Sequence, residues 1–282
     1  MESLSRWFAE HYVPSYPAAG STLPGAPSST PPGVSPGAPP GGTSVVTVIG
    51  SGGKTSLIWL LARSLRQRRV LVSPSTKMYP PSPELHYYDY ALFGAAEIGA
   101  TAIGATGITL AGVLKAETGK LEALPPGVLE KTIPAYDLVL LEGDGSRGLP
   151  LKGWADHEPV VPPCTTLTIA LIPISVLGQK ISGETVFRLP QFLALCGAGE
   201  GDRISIAHLA ALIRGGQGAL NGGTARGLLS AARGKKLLFI NQAEGRWDEA
   251  RELAASLPAD LSAGLEGIIC GSVEQDRVEI LR

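Results

Sequence analysis

The sequence has few cysteines, and they lie far apart. There are three, Cys164, Cys196 and Cys270, and no two of them form a CxxC pair. Neither a disulfide framework nor a sequence-local zinc site is therefore expected. The chain also lacks any uninterrupted apolar run of about 18 residues, the length that a membrane-spanning helix needs. We therefore expect no membrane span.

Neither sign of charge is in excess. The chain carries 24 basic and 25 acidic residues, a formal net charge of -1 at pH 7. Proteins that hold nucleic acid through a broad surface have an excess of Lys and Arg on it, so nucleic acid is not expected among the partners. The first residues contain acids and no apolar signal core, which, with the unpaired cysteines, predicts a cytoplasmic protein.

Glycine and proline are abundant and are concentrated in one segment. Residues 14–42 hold 9 prolines and 6 glycines and no charged residue. Proline interrupts helices and strands, and the segment has too little apolar surface to offset the entropy of ordering it. We predict that residues 1–43 form a short helix, at residues 2–12, and a disordered arm, and that residues 44–282 form one folded domain.

In residues 44–282, segments with strand patterns alternate with segments with helix patterns. The β-branched run at 44–49, a helix from Lys54 and a strand at 69–73 form a βαβ unit. Further strands are predicted near 101–104 and at 108–114, 136–142, 167–172, 236–240, 267–270 and 277–281, and further helices at 128–132, 190–196, 205–213, 224–233 and 247–256. This alternation predicts an α/β fold with a doubly wound, mostly parallel sheet.

A glycine-rich segment, Gly50-Ser51-Gly52-Gly53-Lys54-Thr55-Ser56, joins the first strand to its helix. That context is typical of a P-loop, whose backbone N–H groups and helix N-terminus bind phosphate. We predict that these seven residues bind a nucleoside triphosphate, with Lys54 on the β- and γ-phosphates and Thr55 on Mg²⁺. The first consensus glycine would fall at Val48, so the loop is a shortened form, like the GxxGKT of Mur-type ligases.

Two acids lie at the end of the predicted strand at 136–142. Glu142 and Asp144 lie where a P-loop enzyme needs a carboxylate for Mg²⁺ or its water. We predict both as metal ligands and catalytic groups, and Arg147 as a partner of a phosphate or an acidic substrate. The alternative is an acidic loop that forms an ion pair with Arg147.

Three further residues are candidates for the same site. Lys77 follows the second strand and is predicted to contact the γ-phosphate or an anionic substrate; the alternative is a solvated loop lysine. Asn241 and Glu244 end the strand at 236–240 with the spacing of the guanine-reading NKxD motif, although Gln242 replaces its Lys and Glu244 its Asp. They favour GTP over ATP by a small margin. The alternative is a polar loop that caps the next helix.

Several segments resemble the YqeC family, described as accessory proteins of selenium-dependent molybdenum hydroxylases. The resemblance is carried by VIGSGGKTSL at 48–57, VLVSPSTKMYPP at 70–81 and LEGDGSRGLPLKGWADHEPVVPP at 141–163, and more weakly by segments at 176–181, 186–192 and 237–244. It implies a P-loop NTPase fold and a role in maturing such an enzyme, with the enzyme or its cofactor as partner.

Three functional hypotheses follow. The first is a Mg²⁺-dependent P-loop NTPase that acts in metallocofactor maturation. The second is an ATP-dependent kinase or ligase acting on a small acid or cofactor precursor, since the shortened loop is like that of ligases. The third is a nucleotide-gated binding module or chaperone without appreciable turnover.

Overall fold

The computed structural model describes residues 1–14, 42–94, 106–215 and 226–282. In chain order the described strands are β1 (Ser44–Gly50), β2 (Arg69–Pro74), β3 (Lys77–Met78), β4 (Tyr90–Leu92), β5 (Gly107–Ala111), β6 (Val113–Lys115), β7 (Lys120–Glu122), β8 (Leu138–Glu142), β9 (Leu151–Lys152), β10 (Leu167–Pro173), β11 (Val186–Phe187), β12 (Lys235–Asn241), β13 (Gly267–Ser272) and β14 (Arg277–Ile280). The described helices are α1 (Leu4–Tyr12), α2 (Lys54–Ser64), α3 (Pro126–Thr132), α4 (Leu189–Cys196), α5 (Ile206–Arg214), α6 (Trp247–Ala255) and α7 (Ala259–Ala263), with 3₁₀ helices at Pro83–Leu85 and Ile133–Ala135.

Within these residues, nine strands form one large sheet in the order β14-β13-β12-β10-β1-β8-β2-β5-β4. Every neighbouring pair in it is parallel except β13 and β14, which are antiparallel. The predicted α/β fold with a mostly parallel sheet is confirmed. Two smaller sheets flank it, the antiparallel β3-β7-β6 and the parallel pair β11-β9.

Helices cover both faces of the large sheet, and its central strands β1, β8 and β10 are therefore buried on both sides. Val46 and Val48 of β1 pack with α1 and α2 on one face, while Ala170 of β10 packs with α4, α5 and α6 on the other. The prediction of a doubly wound arrangement agrees with this packing. None of the described helices is long and apolar enough to cross a membrane.

Helix α1 belongs to the same core as the sheet. Leu4, Trp7 and Phe8 are buried and join the cluster that contains β1 and α2. At the other side of the predicted arm, the Ser44 hydroxyl donates a hydrogen bond to the Tyr12 carbonyl oxygen at 2.6 Å. Tyr12 and Ser44, on either side of the segment 15–41, are therefore in contact. The arm itself lies outside the described residues, so its disorder and the boundary at residue 43 stay predictions.

Two sequence predictions of secondary structure need correction. The predicted helix at 224–233 is wrong for its described part, 226–233, which forms a turn. The backbone N–H of Arg233 donates to the Thr168 hydroxyl and its carbonyl oxygen accepts from it, which directs the chain into β12. The predicted strand at 108–114 is two strands broken at Gly112, where a Cβ would lie 2.4 Å from Leu121 Cγ. The predicted strand at 101–104 lies outside the described residues.

Candidate functional site

The predicted site residues lie at one edge of the sheet. Strand β1 is hydrogen-bonded to β8 on one side and to β10 on the other, with Val48 level with Glu142 and Gly50 level with Leu171. Because all of these strands are parallel, their carboxyl ends meet at this edge. Open α/β sheets bind their ligands there.

The loop of residues 50–53 is built for close backbone approach. Gly50, Gly52 and Gly53 have φ of 99°, 77° and 117°, in the region that favours glycine. A Cβ at Gly50 would lie 2.1 Å from the Leu171 carbonyl oxygen, and one at Gly52 would lie 2.5 Å from the Pro173 ring. Gly53 is the N-cap of α2 and provides no side-chain cap. The first N–H groups of α2 thus have no capping side chain.

Lys54 is the first residue of α2, and its side chain folds back over this loop. Its Nζ donates to the Gly50 carbonyl oxygen at 2.6 Å and lies 3.4 Å from Asp144 Oδ1. The side chain is 4 % exposed. A buried ammonium group is thereby held directly beside the glycines.

Thr55 and Glu142 form the second contact across the edge. The Thr55 hydroxyl donates to Glu142 Oε2 at 2.9 Å. Burial raises the pKa of the Glu142 carboxyl above its ordinary value, while Lys54 and the Thr55 hydrogen bond act in the opposite direction. In the described residues, no three His, Cys, Asp or Glu side chains gather into a metal-binding group. A metal at this pair would therefore need ligands from water or from a bound phosphate.

Asp144 is fully buried and already has several donors. Its carboxylate accepts from the Gly50 N–H at 3.1 Å and from Trp154 Nε1 at 2.9 Å, and Lys152 Nζ lies 3.1 Å from Oδ2. These partners are lysines, the loop and an indole, so the alternative ion pair between this acid and Arg147 does not form. The structure brings Asp144 to the loop as predicted, but buries its side chain completely.

Lys152 continues the network away from the loop. It is fully buried, and its Nζ donates to the Gly145 carbonyl oxygen at 2.7 Å and to Glu158 Oε2 at 2.8 Å. Arg188 also donates to Glu158. Sequence reasoning did not select Lys152, Trp154 or Glu158 as site residues. The sequence did contain a sign of Lys152, because a lysine within the short apolar run LPLKGW is expected to be buried with its neighbours and to need an acidic partner.

Asn241 and Glu244 lie at the end of β12, on the same edge. Asn241 Nδ2 donates to the Gly52 carbonyl oxygen at 2.8 Å, and its Oδ1 accepts from the Val273 N–H at 3.1 Å. Glu244 accepts a hydrogen bond from the Ser272 hydroxyl. The N-cap of α6 is Arg246, without a side-chain cap. The alternative in which Asn241 caps that helix is therefore wrong.

The remaining predicted residues have other surroundings. Lys77 lies on β3, is 62 % exposed and pairs with Glu122 at 2.7 Å. The Arg147 guanidinium lies 4.9 Å from the centre of the Phe187 ring. The Ser51 N–H donates to the Leu171 carbonyl oxygen at 3.2 Å, and Ser56 is exposed. The structure brings the loop, Glu142, Asp144, Asn241 and Glu244 to one edge, whereas Lys77 and Arg147 contact other groups.

A large groove opens on this edge. It has a volume of about 1100 Å³ and is lined by Gly53, Thr55 and Ser56 of the loop and α2. Asn241 and Glu244 line one end of it, and Tyr87 lines the other. A volume of this size slightly exceeds the usual range of small-molecule sites, about 300–1,000 Å³.

The fold and the site define an α/β protein with a large, mostly parallel sheet, at whose carboxyl edge a glycine-rich loop, a lysine and two acids meet. The chain belongs to the YqeC family: the family model described as YqeC protein matches residues 46–190. The chain is also 35% identical over 183 residues to the "Uncharacterized protein YqeC" of Escherichia coli (strain K12), an alignment that covers 62% of this chain and 70% of that protein. No solved structure matches the chain.

Proposed function

We propose that this protein binds a Mg²⁺–nucleoside triphosphate at residues 50–56 and hydrolyses its γ-phosphate. The observation that carries the proposal is the Thr55–Glu142 hydrogen bond of 2.9 Å. It joins the first turn of α2 to the end of the strand next to β1, beside a buried lysine and a glycine-rich loop. This is the arrangement that P-loop NTPases use to place a hydroxyl and a carboxylate around Mg²⁺.

The phosphates would bind to the loop and to the N-terminus of α2. The glycines leave no side chain between a phosphate and the backbone N–H groups, and the helix dipole adds partial positive charge. Lys54 Nζ is held by the Gly50 carbonyl oxygen and lies beside the Asp144 carboxylate. It is therefore already next to the loop on which the phosphates would bind. In the proposed bound state its ammonium group moves onto the phosphate oxygens.

Glu142 and Thr55 are the protein ligands that the geometry favours for Mg²⁺. Mg²⁺ takes oxygen ligands and usually retains several waters, with phosphate oxygens completing its shell. The carboxyl group of Glu142 and the hydroxyl of Thr55 are adjacent and lie beside the loop. Asp144, also predicted as a metal ligand, accepts hydrogen bonds from Gly50 and Trp154 and is fully buried.

We assign Asp144 a positioning role instead. It holds the loop through the Gly50 N–H and holds Lys54 when no phosphate is bound. When Lys54 moves to a phosphate, Lys152 remains 3.1 Å from Asp144 and keeps its buried charge compensated. Without this second ammonium group, releasing Lys54 would leave an unpaired buried carboxylate, which is costly.

The base would lie at the end of the groove formed by Asn241 and Glu244. Glu244 lies three residues after Asn241, as in NKxD, and its carboxylate can accept from the N1 and N2 hydrogens of guanine. This favours GTP over ATP by a small margin. We propose that Asn241 acts mainly on the loop, because its amide groups already bond Gly52 and Val273.

The accessory role in maturing a selenium-dependent molybdenum hydroxylase remains a proposal that rests on membership of the YqeC family. A kinase or ligase acting on a small acid is the second candidate. It is favoured by the groove, which continues along α2 beyond the loop to Arg63 and Tyr87.

Phosphate release in the presence of Mg²⁺ tests these functions. The expected result is steady release from GTP or ATP without an acceptor, lost in Glu142→Gln and unchanged in Lys131→Ala, an exposed lysine of α3. Release that requires an added small acid would support the kinase or ligase instead. Absence of both release and binding would contradict the proposed site.

A further inference from the structure

The groove has two ends with different chemistry. One end, at Asn241, Glu244 and Glu274, carries acids and an amide. The other end is lined by Trp59 and Arg63 of α2 and by residues of the segment from Tyr79 to Tyr87. We call this second end the aromatic arm and define it by Trp59, Arg63, Tyr79, Pro80 and Tyr87. The nucleotide proposed above occupies the loop and the acidic end, and leaves the aromatic arm available.

The aromatic arm presents the rings of Tyr79 and Tyr87, whereas Trp59 is buried and packs against Tyr87 from the core. The Trp59 and Tyr87 ring centres are 5.3 Å apart and their planes are inclined by 57°. Tyr79 is 66 % exposed, and its ring lies 4.9 Å from the Lys120 ammonium group. Rings that are partly exposed in a concave surface bind planar, apolar groups well.

The aromatic arm also contains a cation without an acidic partner. The Arg63 guanidinium lies 5.5 Å from the centre of the Tyr87 ring. Among the residues that the structure describes, no carboxylate binds it, whereas Arg66, less than one turn further along the chain, is held by Asp89 at 2.5 Å. A guanidinium group stacked on a ring keeps its N–H edge free for a carboxylate or phosphate.

We propose that the aromatic arm binds a planar aromatic anion, with its ring against Tyr79 and Tyr87 and its acidic group on Arg63. The proposal deepens the second candidate function, the kinase or ligase, because such an anion would lie in the same groove as the nucleotide and would be the small acid on which that enzyme acts. Only the role of this anion as a substrate depends on the proposed nucleotide site. Binding in the arm itself is measurable without nucleotide, so the two proposals fail separately.

The probe is 2-naphthoate, a small fluorescent aromatic acid, compared with its uncharged amide, 2-naphthamide. Titration of the full chain, followed by fluorescence, should show that the acid binds about tenfold more tightly than the amide, because an Arg–carboxylate bond is charge-assisted. Arg63→Ala should remove this difference and leave amide binding unchanged. Tyr79→Ala should weaken both ligands, because it removes a ring face, and both substituted side chains are exposed, so the fold should persist.

Two further variants locate the binding. Lys131→Ala removes a positive charge from α3, which packs on the opposite face of the sheet from α2, and should change neither affinity. Lys54→Ala should leave naphthoate binding intact, because the arm does not use the loop. The proposal is overturned if naphthoate does not bind the parent saturably, if Arg63→Ala retains the preference for the acid, or if Lys54→Ala abolishes binding. The last result would place the ligand on the loop.

Discussion

Asn241 at the end of β12 donates from Nδ2 to the carbonyl oxygen of Gly52, 2.8 Å away, and so ties the glycine-rich loop to a strand two positions away in the sheet. The contact is tight, since a Cβ at Gly53 would lie 2.7 Å from the same amide nitrogen. Its Oδ1 also accepts from the Val273 N–H at the end of β13. One buried side chain thus holds together three segments of the proposed nucleotide site.

Asn241→Ala should therefore weaken GTP and ATP binding by the same factor. The substitution leaves the Gly52 carbonyl oxygen and the Val273 N–H without their partner, at a cost of about 1–3 kcal/mol per buried group. A loop that is less well held binds any triphosphate less well, whichever base it carries. Competition binding of the two nucleotides, with thermal unfolding of the variant, measures both effects.

Glu244→Ala is the comparison for that experiment. It should reduce GTP affinity and leave ATP affinity unchanged, because its carboxylate is assigned to the guanine N–H groups. A parent protein that binds both nucleotides equally, or a GTP preference that survives in Glu244→Ala, would contradict the guanine assignment. A GTP-specific loss in Asn241→Ala would show that this amide reads the base directly.

The raised pKa of Glu142 predicts a pH-dependent stability. Because burial raises the pKa in the folded state, the folded protein binds the proton more tightly than the unfolded chain. This stabilisation is present below the ordinary carboxyl pKa and is lost as pH rises through the higher, folded-state pKa. Glu142→Gln should therefore have a higher Tm than the parent at neutral pH, and the difference should vanish in acid.

Mg²⁺ should reduce that difference in Tm at neutral pH when nucleotide is present. The ionised Glu142 carboxylate is the proposed ligand, so Mg²⁺–nucleotide should raise the Tm of the parent more than that of Glu142→Gln. The same scans with nucleotide and EDTA provide the control. Equal stabilisation of the two proteins by Mg²⁺ would remove Glu142 from the metal site.

Lys152→Met should both destabilise the protein and weaken triphosphate binding. The variant leaves Asp144 and Glu158 buried without their shared ammonium group, and breaking a buried pair costs about 3–5 kcal/mol. It also leaves Lys54 as the remaining lysine beside Asp144, which should hold Lys54 away from phosphate. Thermal unfolding and calorimetric titration measure the two losses.

Combining Lys152→Met with Asp144→Asn shows whether Lys152 positions Lys54 or only stabilises the fold. In the double variant the buried negative charge is gone, so Lys54 is released and triphosphate affinity should recover above that of Lys152→Met. Additive losses in affinity would mean that Lys152 supports the fold without acting through Asp144 and Lys54.

Replacing residues 15–41 with a short Gly/Ser linker should change the Tm by less than about 4 °C. A short linker can span the gap, because the Ser44 hydroxyl already donates to the Tyr12 carbonyl oxygen at 2.6 Å. Trp7→Ala is the contrasting variant. Trp7 is buried in the main core, and its truncation should cost about 3–5 kcal/mol. A large loss of stability in the linker variant would show that residues 15–41 pack against the folded domain.

The sequence was sufficient to predict most elements around the site, for identifiable reasons. The β-branched run 44–49 and the apolar run 167–172 are long and bounded by glycine or proline, so their type and their place in a parallel sheet are evident. The helix expected at 224–233 failed because its Ala- and Leu-rich pattern does not reveal the backbone bonds between Arg233 and Thr168. Tertiary contacts of this kind override local propensity.

The site was predictable as a set of residue types but not as a set of pairings. The sequence places Glu142 and Asp144 two residues apart at the end of a strand, without showing that the first faces Thr55 and the second faces Gly50 and Trp154. The role of Lys152 could not be found either. Its partners depend on how the chain after β8 turns back beneath the loop, which is a property of the folded backbone.

Calorimetric titration with a non-hydrolysable GTP analogue and Mg²⁺ shows directly whether residues 50–56 bind a nucleoside triphosphate. The parent and Lys131→Ala should bind one equivalent, and Lys54→Ala should bind about 10- to 100-fold more weakly while keeping its fold, because it loses charge-assisted bonds to phosphate. Nucleotide affinity that is unchanged in a folded Lys54→Ala variant, or a parent that binds no triphosphate, would contradict the account.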